Sequence, residues 1–232
     1  MKLLKRLILL LIAALAIFVV IFVISGYPLY KKATKTMSLN DKVSEIRSSE
    51  NFVSYDELPK NLVDATIAVE DHRYWDHGAI DLIGIFRAIT SNIKAGDAVE
   101  GGSSITQQVA KNLYFMEEKD GMSRKSAETI LSYELSKNYS KEEIFELYVN
   151  TIYYGNGYYG IKQASNGYFH KEPKDLTLDE CTLLAGVPNA PSVYAPTANM
   201  DLCISRQKKV IHDMVKHNYI TQEEADKIKL GM

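Results

Sequence analysis

An uninterrupted run of 18 apolar residues, 7–24 (LILLLIAALAIFVVIFVI), constrains this chain more than any other feature. At about 1.5 Å of rise per residue, a helix of this length is roughly 27 Å long, close to the ~30 Å hydrocarbon core of a bilayer. Three cations, Lys2, Lys5 and Arg6, precede the run and favour an N-terminus that stays in the cytoplasm. We therefore predict a cytoplasmic tail over 1–6 and one transmembrane anchor over 7–27.

The orientation and the persistence of this anchor each have an alternative. Lys31, Lys32 and Lys35 follow the run, so its two sides carry equal numbers of cationic side chains. The positive charge of the free amino terminus then favours the N-terminal side as the cytoplasmic one. A cleaved signal peptide is the other interpretation, but the run is longer than an ordinary signal-peptide core, and its A-x-A (14–16) lies inside the apolar stretch. The prediction is an uncleaved single-pass anchor in the plasma membrane, with the folded domain outside the cytoplasm.

Length and composition limit what the rest of the chain can be. The 232 residues suffice for one medium domain and an appendage, and 46% hydrophobic with 24% charged residues exclude collagenous, disordered and disulfide-scaffold proteins. Removing the three tail cations from the net charge of −2 leaves −5, which disfavours a nucleic-acid partner. The spacing of Cys181 and Cys203 matches no metal or redox motif, and Cys181 is predicted to be a buried thiol.

Helix signals dominate after Pro59, and alternating strand patterns are nearly absent. We predict a mostly α domain over 61–232, joined to the anchor by a polar stalk over 28–60. One helix is expected from Pro59 to about Tyr74, and Ser123 is expected to cap another. Capping boxes mark three further helix starts, at Ser140 with Glu143, Thr177 with Glu180, and Thr221 with Glu224.

The first candidate site is Glu70 in the segment AVEDHRYWDH (68–77). On a helix, Glu70 falls on the same stripe as Val63 and Ile67, where an unpartnered carboxylate is costly to ionise and suited to proton transfer. The alternative is a carboxylate at the edge of the stripe, paired with Arg73 or His77.

The second candidate is GGSSITQQVAKN (101–112), which opens with two glycines that permit close backbone approach. Ser104 and Gln107 form a capping pattern at a helix start, where free amides favour an anion. Lys111 follows Gln107 by one turn, with Asn112 beside it, so a cation and an amide could converge on phosphate oxygens. The alternative is that Gln107 only caps the helix.

The third candidate is SRKSAETILSYEL (123–135), in which Arg124 and Lys125 precede Glu128 by four and three residues. All three side chains therefore share one helical face. The alternative is an exposed ion-pair cluster worth about a few tenths of a kcal/mol.

Taken together and in this order, these segments resemble the peptidoglycan glycosyltransferase family, which occurs in bifunctional penicillin-binding proteins and as a membrane-anchored monofunctional enzyme. The matching segments are EDHRYWDH (70–77), GGSSITQQVAKN (101–112), RKSAE (124–128), ELYVNTIYYG (146–155) and GIKQASNGYF (160–169). With LLAGVPNAPSVYAP (183–196) they span nearly the whole domain from Asn61.

The resemblance implies a lysozyme-like, two-lobed helical fold around a cleft beside the membrane. The implied reaction polymerises lipid II with inversion and releases undecaprenyl pyrophosphate, with Glu70 as general base and Glu128 assisting on the donor side. Substrate-binding roles carry over to further residues of the motifs: Lys111, Asn112, Arg124, Lys125, Gln107, Gln108, Ser103, Thr106, Asp71 and His77. A divalent cation, Mg²⁺ or Mn²⁺, would accompany the pyrophosphate without a dedicated metal site. The implied partners are lipid II, the growing glycan strand, the membrane and a cell-wall synthesis complex.

Three questions remain open at this point. A lysozyme-like lytic enzyme would cleave glycan strands and would need no pyrophosphate site, and a non-catalytic scaffold would need neither glutamate.

The apolar stretch Leu82–Phe86 either enters the lipid headgroups or belongs to the core. No transpeptidase activity is expected, since S-x-x-K occurs at 91–94 and 205–208 without a K-T-G partner.

Overall fold

The computed structural model describes residues 2–97, 101–119 and 121–231, and helices dominate these ranges. Their α-helices are α1 (Lys2–Thr36), α2 (Leu39–Arg47), α3 (Lys60–Glu70), α4 (Leu82–Ala95), α5 (Ile105–Ala110), α6 (Met122–Asn138), α7 (Lys141–Thr151), α8 (Ile161–Phe169), α9 (Leu178–Gly186), α10 (Pro191–Tyr194), α11 (Met200–Lys216) and α12 (Gln222–Ala225). Within the described ranges, β-pairing is limited to one isolated bridge between Tyr153 and Tyr159. The prediction of a mostly α chain with one N-terminal apolar helix is confirmed.

The first helix extends well beyond the predicted anchor. α1 continues without a break to Thr36, past Pro28, and its apolar residues up to Ile24 are largely exposed. Among the described residues it is the one helix long and apolar enough to cross a bilayer. The anchor is therefore the N-terminal part of a longer helix.

The C-terminal part of α1 packs on α6 at very short range. Gly26 is buried against Ser126 and Ala127, and a Cβ on Gly26 would lie 2.4 Å from the Ala127 amide nitrogen. Ser123 Oγ donates to the Ser25 carbonyl (2.8 Å). The predicted cap at Ser123 is wrong, because Gly121 is the N-cap of α6 and the Ser123 hydroxyl bonds to α1 instead of its own helix.

The predicted stalk is partly folded into the domain. Leu39 and Val43 of α2 and, after it, Val53 and Leu58 are buried in the hydrophobic core. The backbone of Val53 is paired with the Asn150 side chain, with its amide donating to Oδ1 (2.9 Å) and its carbonyl accepting from Nδ2 (2.8 Å). Part of the predicted stalk, from Leu39 onward, therefore packs into the hydrophobic core, because a few apolar residues suffice to bury a segment that is polar on average.

The helix that carries the first motif ends earlier than predicted. α3 stops at Glu70, and Asp71 leaves helical geometry with φ −159° and ψ 69°. Tyr74 lies in a short 3₁₀ turn, fully buried, with its hydroxyl donating to the Lys141 carbonyl (2.6 Å). Tertiary burial of this ring and its hydroxyl bond therefore override the continuation of the helix.

Other local predictions hold. The three capping boxes at Ser140, Thr177 and Thr221 are present with both reciprocal hydrogen bonds. Cys181 is buried, as predicted, and both cysteines are free thiols. Burial raises the pKa of Cys181 to about 12 and that of Cys203 to about 11, which keeps both thiols protonated and unreactive at neutral pH.

Candidate active site

A cleft of about 910 Å³ lies between the end of α3, the α5 segment, α6 and α11. It brings together residues of all three candidate segments, which are far apart in the chain. The predicted residues that line it are Glu70, Asp71, Ser103, Gln107, Gln108, Lys111, Asn112, Arg124, Lys125 and Glu128. Thr106 and His77 do not line it.

Glu70 is the last residue of α3, and its carboxylate is held by two partners across the cleft. Gln108 Nε2 donates to Oε2 (3.0 Å), and Arg206 Nη2 lies 3.3 Å from Oε1. Neither alternative partner contacts it, since Arg73 pairs with Asp81 and His77 with Asp71. The Glu70 side chain is 9% exposed, so the carboxylate is shielded from bulk water yet opens into the cleft.

Arg206 is a site residue that the sequence reasoning missed. It lies on α11, and its Nε also donates to the Gly186 carbonyl (3.4 Å) while its guanidinium lies over the Tyr194 ring. Gly186 leaves room for it, since a Cβ there would lie 2.9 Å from Arg206 Cγ. The segment 183–196, already matched to the family, contains its two contacts Gly186 and Tyr194, but nothing in that segment identifies Arg206 itself.

Asp71 and His77 connect the end of α3 to the start of α5, and their side-chain polar atoms already have partners. Asp71 Oδ1 pairs with His77 Nε2 (2.8 Å), and Oδ2 accepts from the Ile105 amide (3.0 Å) in the first turn of α5. His77 Nδ1 faces the Gly78 carbonyl (2.7 Å), so both ring nitrogens meet acceptors. Burial lowers the pKa of His77, but the hydrogen bond and charge of Asp71 outweigh it and raise the pKa.

Two of the predicted substrate-binding residues, Thr106 and His77, thus lie outside the lining of the cleft. Thr106 is fully buried, and the His77 side chain is 5% exposed with both nitrogens engaged. Neither side chain is among those that line the cleft. The structure gives His77 a positioning role, through Asp71, for the end of α3 and the start of α5.

Glu128 is the second carboxylate of the cleft and lies buried on α6, at 2% exposed. Lys125 Nζ donates to Glu128 Oε2 (3.1 Å) and to Ser103 Oγ (2.7 Å), and Arg124 Nε lies 3.5 Å from Oε1. The shared helical face is confirmed, and burial of the glutamate contradicts a merely exposed ion-pair cluster. Among the described residues Glu128 Oε1 accepts no hydrogen bond, which is unusual for a buried carboxylate oxygen, and its nearest charged partner is Arg124.

The second motif forms a short helix with an unusual continuation. The capping box of Ser104 and Gln107 is present, and Gln107 Nε2 also donates to Thr129 Oγ1 (3.3 Å) on α6. From Lys111 to Phe115 the chain is π-helical, a geometry that occurs frequently at functional sites. Lys111 and Asn112 line the cleft at this point, and Asn112 Nδ2 is buried with no hydrogen-bond partner in the part of the chain that the structure describes.

The chemistry of the donor set decides where a divalent cation fits. The ligand atoms of Asp71, His77 and Asp81 lie within 4.8 Å of one another, but Arg73 and backbone amides already occupy the carboxylate oxygens. That cluster therefore does not fit a metal ion. Glu128 fits better, because Mg²⁺ sites use one or two carboxylates together with substrate phosphates.

The far wall of the cleft carries charged residues outside the predicted set. They are His72, Arg87, Lys209, Asp213, Lys216 and His217. The rings of His72 and His217 stack with centroids 4.2 Å apart, and Arg87 Nη1 lies 2.7 Å from His72 Nε2. Burial, then Arg87 and His217, lowers the pKa of His72 to about 4.

Comparison with known protein families adds a finding independent of this geometry. The family model described as Transglycosylase matches residues 39–215. The chain belongs to the transglycosylase family. The match begins at Leu39, a buried residue of the hydrophobic core, and it confirms the resemblance drawn from the five segments.

Similar transglycosylases are parts of much longer proteins. Penicillin-binding protein 1F of Bacillus subtilis (strain 168) is 44% identical over 173 residues, which are 75% of this chain and 24% of that protein. Penicillin-binding protein 1A of Neisseria flavescens is 43% identical over 175 residues, 75% of this chain and 22% of that protein. A solved structure, penicillin-binding protein 1A from Haemophilus influenzae, overlaps with a TM-score of 0.46 at 23% identity, covering 78% of this chain and 18% of that chain. This chain thus spans about a quarter of the length of the curated relatives it matches.

Proposed function

We propose that this transglycosylase polymerises lipid II into peptidoglycan glycan strands by inverting glycosyl transfer, with release of undecaprenyl pyrophosphate. One observation carries the proposal: two shielded carboxylates share a cleft, and only the second is surrounded by cations that suit a pyrophosphate. Glu70 is held by Gln108 and Arg206, whereas Glu128 lies with Arg124 and Lys125. A glycan hydrolase would not need the cations around Glu128, because it releases no pyrophosphate.

On the acceptor side, Glu70 takes the proton from the C4 hydroxyl of an N-acetylglucosamine. That oxygen attacks the anomeric carbon of the growing chain, and the bond from this carbon to the pyrophosphate oxygen breaks with its electron pair on the leaving group. Attack and departure occur on opposite faces, so the configuration inverts. Gln108 and Arg206 fix the orientation of the base through their hydrogen bonds. Such interactions are stronger in a shielded cleft than in water.

On the donor side, the charge that develops on the pyrophosphate needs cations and N–H donors fixed in advance. Lys111, Asn112, Arg124 and Lys125 line the cleft and supply them. Glu128 keeps Lys125 in place, and its Oε1 accepts no hydrogen bond from the described residues. A Mg²⁺ or Mn²⁺ ion held there by Glu128 and the pyrophosphate would neutralise further negative charge on the leaving group.

The membrane supplies the lipid-linked substrate. We propose that α1 spans it with the N-terminus inside, and that the exposed apolar face of α4 rests in the headgroups. Leu82, Ile83, Phe86, Ile89 and Ile93 are between 51% and 75% exposed on that face, which contradicts the core alternative for Leu82–Phe86. The domain then acts outside the cytoplasm, beside other proteins of a cell-wall synthesis complex. We assign no transpeptidase activity to these residues, since their sequence contains no K-T-G.

The decisive experiment supplies the purified chain, in liposomes, with fluorescent lipid II and separately with preformed glycan. Polymer formation with release of the pyrophosphate is the expected result, and Glu70→Gln is expected to abolish it. Shortening of the glycan without polymerisation would establish the lytic alternative instead. Inactivity on both substrates would favour the scaffold. Repeating the assay with a chelator tests the divalent cation.

A further inference from the structure

One face of α11 forms a wall of the cleft with charges of both signs. Arg206, Lys209, Asp213 and Lys216 are spaced by three or four residues, so they lie on one face, and all four line the cleft. Lys209 Nζ pairs with Asp213 Oδ2 at 2.5 Å. We call these four residues the charged stripe of α11. It starts at Arg206, which contacts Glu70, and ends at Lys216, about 15 Å away along the helix axis at 1.5 Å per residue.

The end of this stripe is closed by the stacked imidazoles and Arg87. An arginine can only donate, so His72 Nε2 accepts from it and His72 carries its proton on Nδ1. His217 follows Lys216 directly, and its pKa is lowered by burial and by the charge of Lys216. The corner therefore combines cations with imidazoles of lowered pKa, and Asp213 is the acid between Lys209 and Lys216.

We propose that this stripe is a subsite for a peptide that carries both carboxylates and an amine, namely the stem peptide of the substrate. This proposal rests on the proposed function. The stem peptide branches from the sugar next to the one that Glu70 would activate, and it contains carboxylates and a diamino acid. About four extended residues, at roughly 3.3–3.6 Å each, span the distance from Arg206 to Lys216.

The order of charges selects this ligand over a pyrophosphate. Asp213 lies between two cations and would repel a polyanion, whereas it accepts the ammonium group of a diamino acid. Lys216 and the His72 corner then receive carboxylates. The opposite cluster of Lys111, Arg124 and Lys125 borders Glu128, and in the proposed function it binds the pyrophosphate.

The test compares two lipid II substrates, one with the full stem peptide and one trimmed to its first residue. The readout is the ratio of kcat/KM for the full over the trimmed substrate. Lys216→Gln and Asp213→Asn are each expected to lower this ratio about twofold to fivefold, the range of one partly exposed charge pair. The matched control is Lys208→Gln, which removes the same charge from an exposed position of α11 outside the cleft, and which should leave the ratio unchanged.

A second readout does not depend on turnover. In protein labelled at histidine, ring signals of His72 and His217, assigned with His72→Gln and His217→Gln, are expected to shift on addition of a soluble muramyl peptide. Acetylation of the peptide amine should weaken that shift in the wild type and have little effect in Asp213→Asn. A shift caused by pyrophosphate but not by the peptide would overturn the proposal in favour of a phosphate subsite.

The two hypotheses fail differently. Normal polymerisation with a substrate ratio that Lys216→Gln and Asp213→Asn leave intact would overturn the peptide subsite and leave the proposed function standing. Absence of polymerisation would overturn the proposed function, and the histidine signals would still decide whether the peptide binds.

Discussion

Glu70 and Arg206 are 136 positions apart in the chain, yet their side chains meet in the cleft. The helical stripe of Val63, Ile67 and Glu70 predicted a carboxylate on an apolar face, and the structure puts it there. The alternative interpretation placed a partner nearby, at Arg73 or His77, but those residues pair with Asp81 and Asp71. Short-range spacing thus identified the candidate carboxylate and missed the cation that contacts it.

Replacing Glu70 with glutamine removes the base and keeps the shape of the side chain. We expect turnover of lipid II to fall by about 10² or more, the usual contribution of a positioned base. The melting temperature should change by only a few degrees, since ~1 kcal/mol moves it by about that much. Parallel assays of polymerisation and thermal unfolding check this, with the exposed Glu118→Gln as the matched control. Near-normal turnover in Glu70→Gln would remove Glu70 from the mechanism.

His72 gives the fold a pH dependence of predictable sign. Its pKa is lowered from 6.5 to about 4, so the unfolded chain binds more protons between these values. The contribution of neutral His72 is complete above pH 6.5 and is lost as the pH falls towards 4. His217, also with a lowered pKa, acts in the same direction, whereas His77, with a raised pKa, loses its contribution as the pH rises.

We therefore expect the free energy of unfolding to decrease between pH 6.5 and 5 less steeply in His72→Gln than in the wild type. Denaturant titrations in detergent at several pH values measure this slope. The exposed His212→Gln is the control. Identical slopes in wild type and His72→Gln would contradict the proton linkage.

Helix boundaries show how far local signals reach. The capping boxes at Ser140, Thr177 and Thr221 gave correct starts because both hydrogen bonds of a box form within four residues. The end of α3 and the start of α6 were mispredicted, because a buried tyrosine and the contact with α1 decide them. These two determinants involve residues far away in the chain.

The contact between α1 and α6 depends on the absence of a side chain at Gly26. We expect Gly26→Leu to destabilise the protein by about 1–3 kcal/mol, the usual cost of overpacking, because its Cβ alone would overlap Ser126 and Ala127. Since Ala127 precedes Glu128, kcat should fall as well. Lys32→Leu, on the exposed side of α1, is the control for the change of hydrophobicity. Equal stability and kcat in both variants would show that the contact is not needed.

At the scale of the whole molecule, two apolar surfaces remain without a partner inside the described chain. They are the first part of α1 and the outer face of α4. The cleft is bordered by α4 through Arg87, and α1 packs on the helix of Glu128. A bilayer that covers both surfaces would hold the cleft next to the proposed lipid-linked substrate.

A dye attached at Ile93→Cys tests contact of α4 with the membrane. The two native cysteines are buried with raised pKa values, so the new thiol is labelled selectively. In proteoliposomes we expect lipid-borne quenchers to reduce the fluorescence of this dye and to spare a dye at Lys208→Cys. Equal fluorescence at both positions would place α4 in water.

The sequence by itself determined the anchor helix, the mostly α fold, the capping boxes and both carboxylates, because each depends on the apolar period of a segment, on neighbours within a turn, or on a motif that stays contiguous. Only the tertiary structure decided that Leu39 and Val43 join the core, that Arg206 contacts Glu70, that His77 and Thr106 do not line the cleft, and that one face of α11 lines it with charges of both signs. These features join residues separated by tens to more than a hundred positions, and such pairs are set by how the helices pack around the core, which local periodicity does not encode.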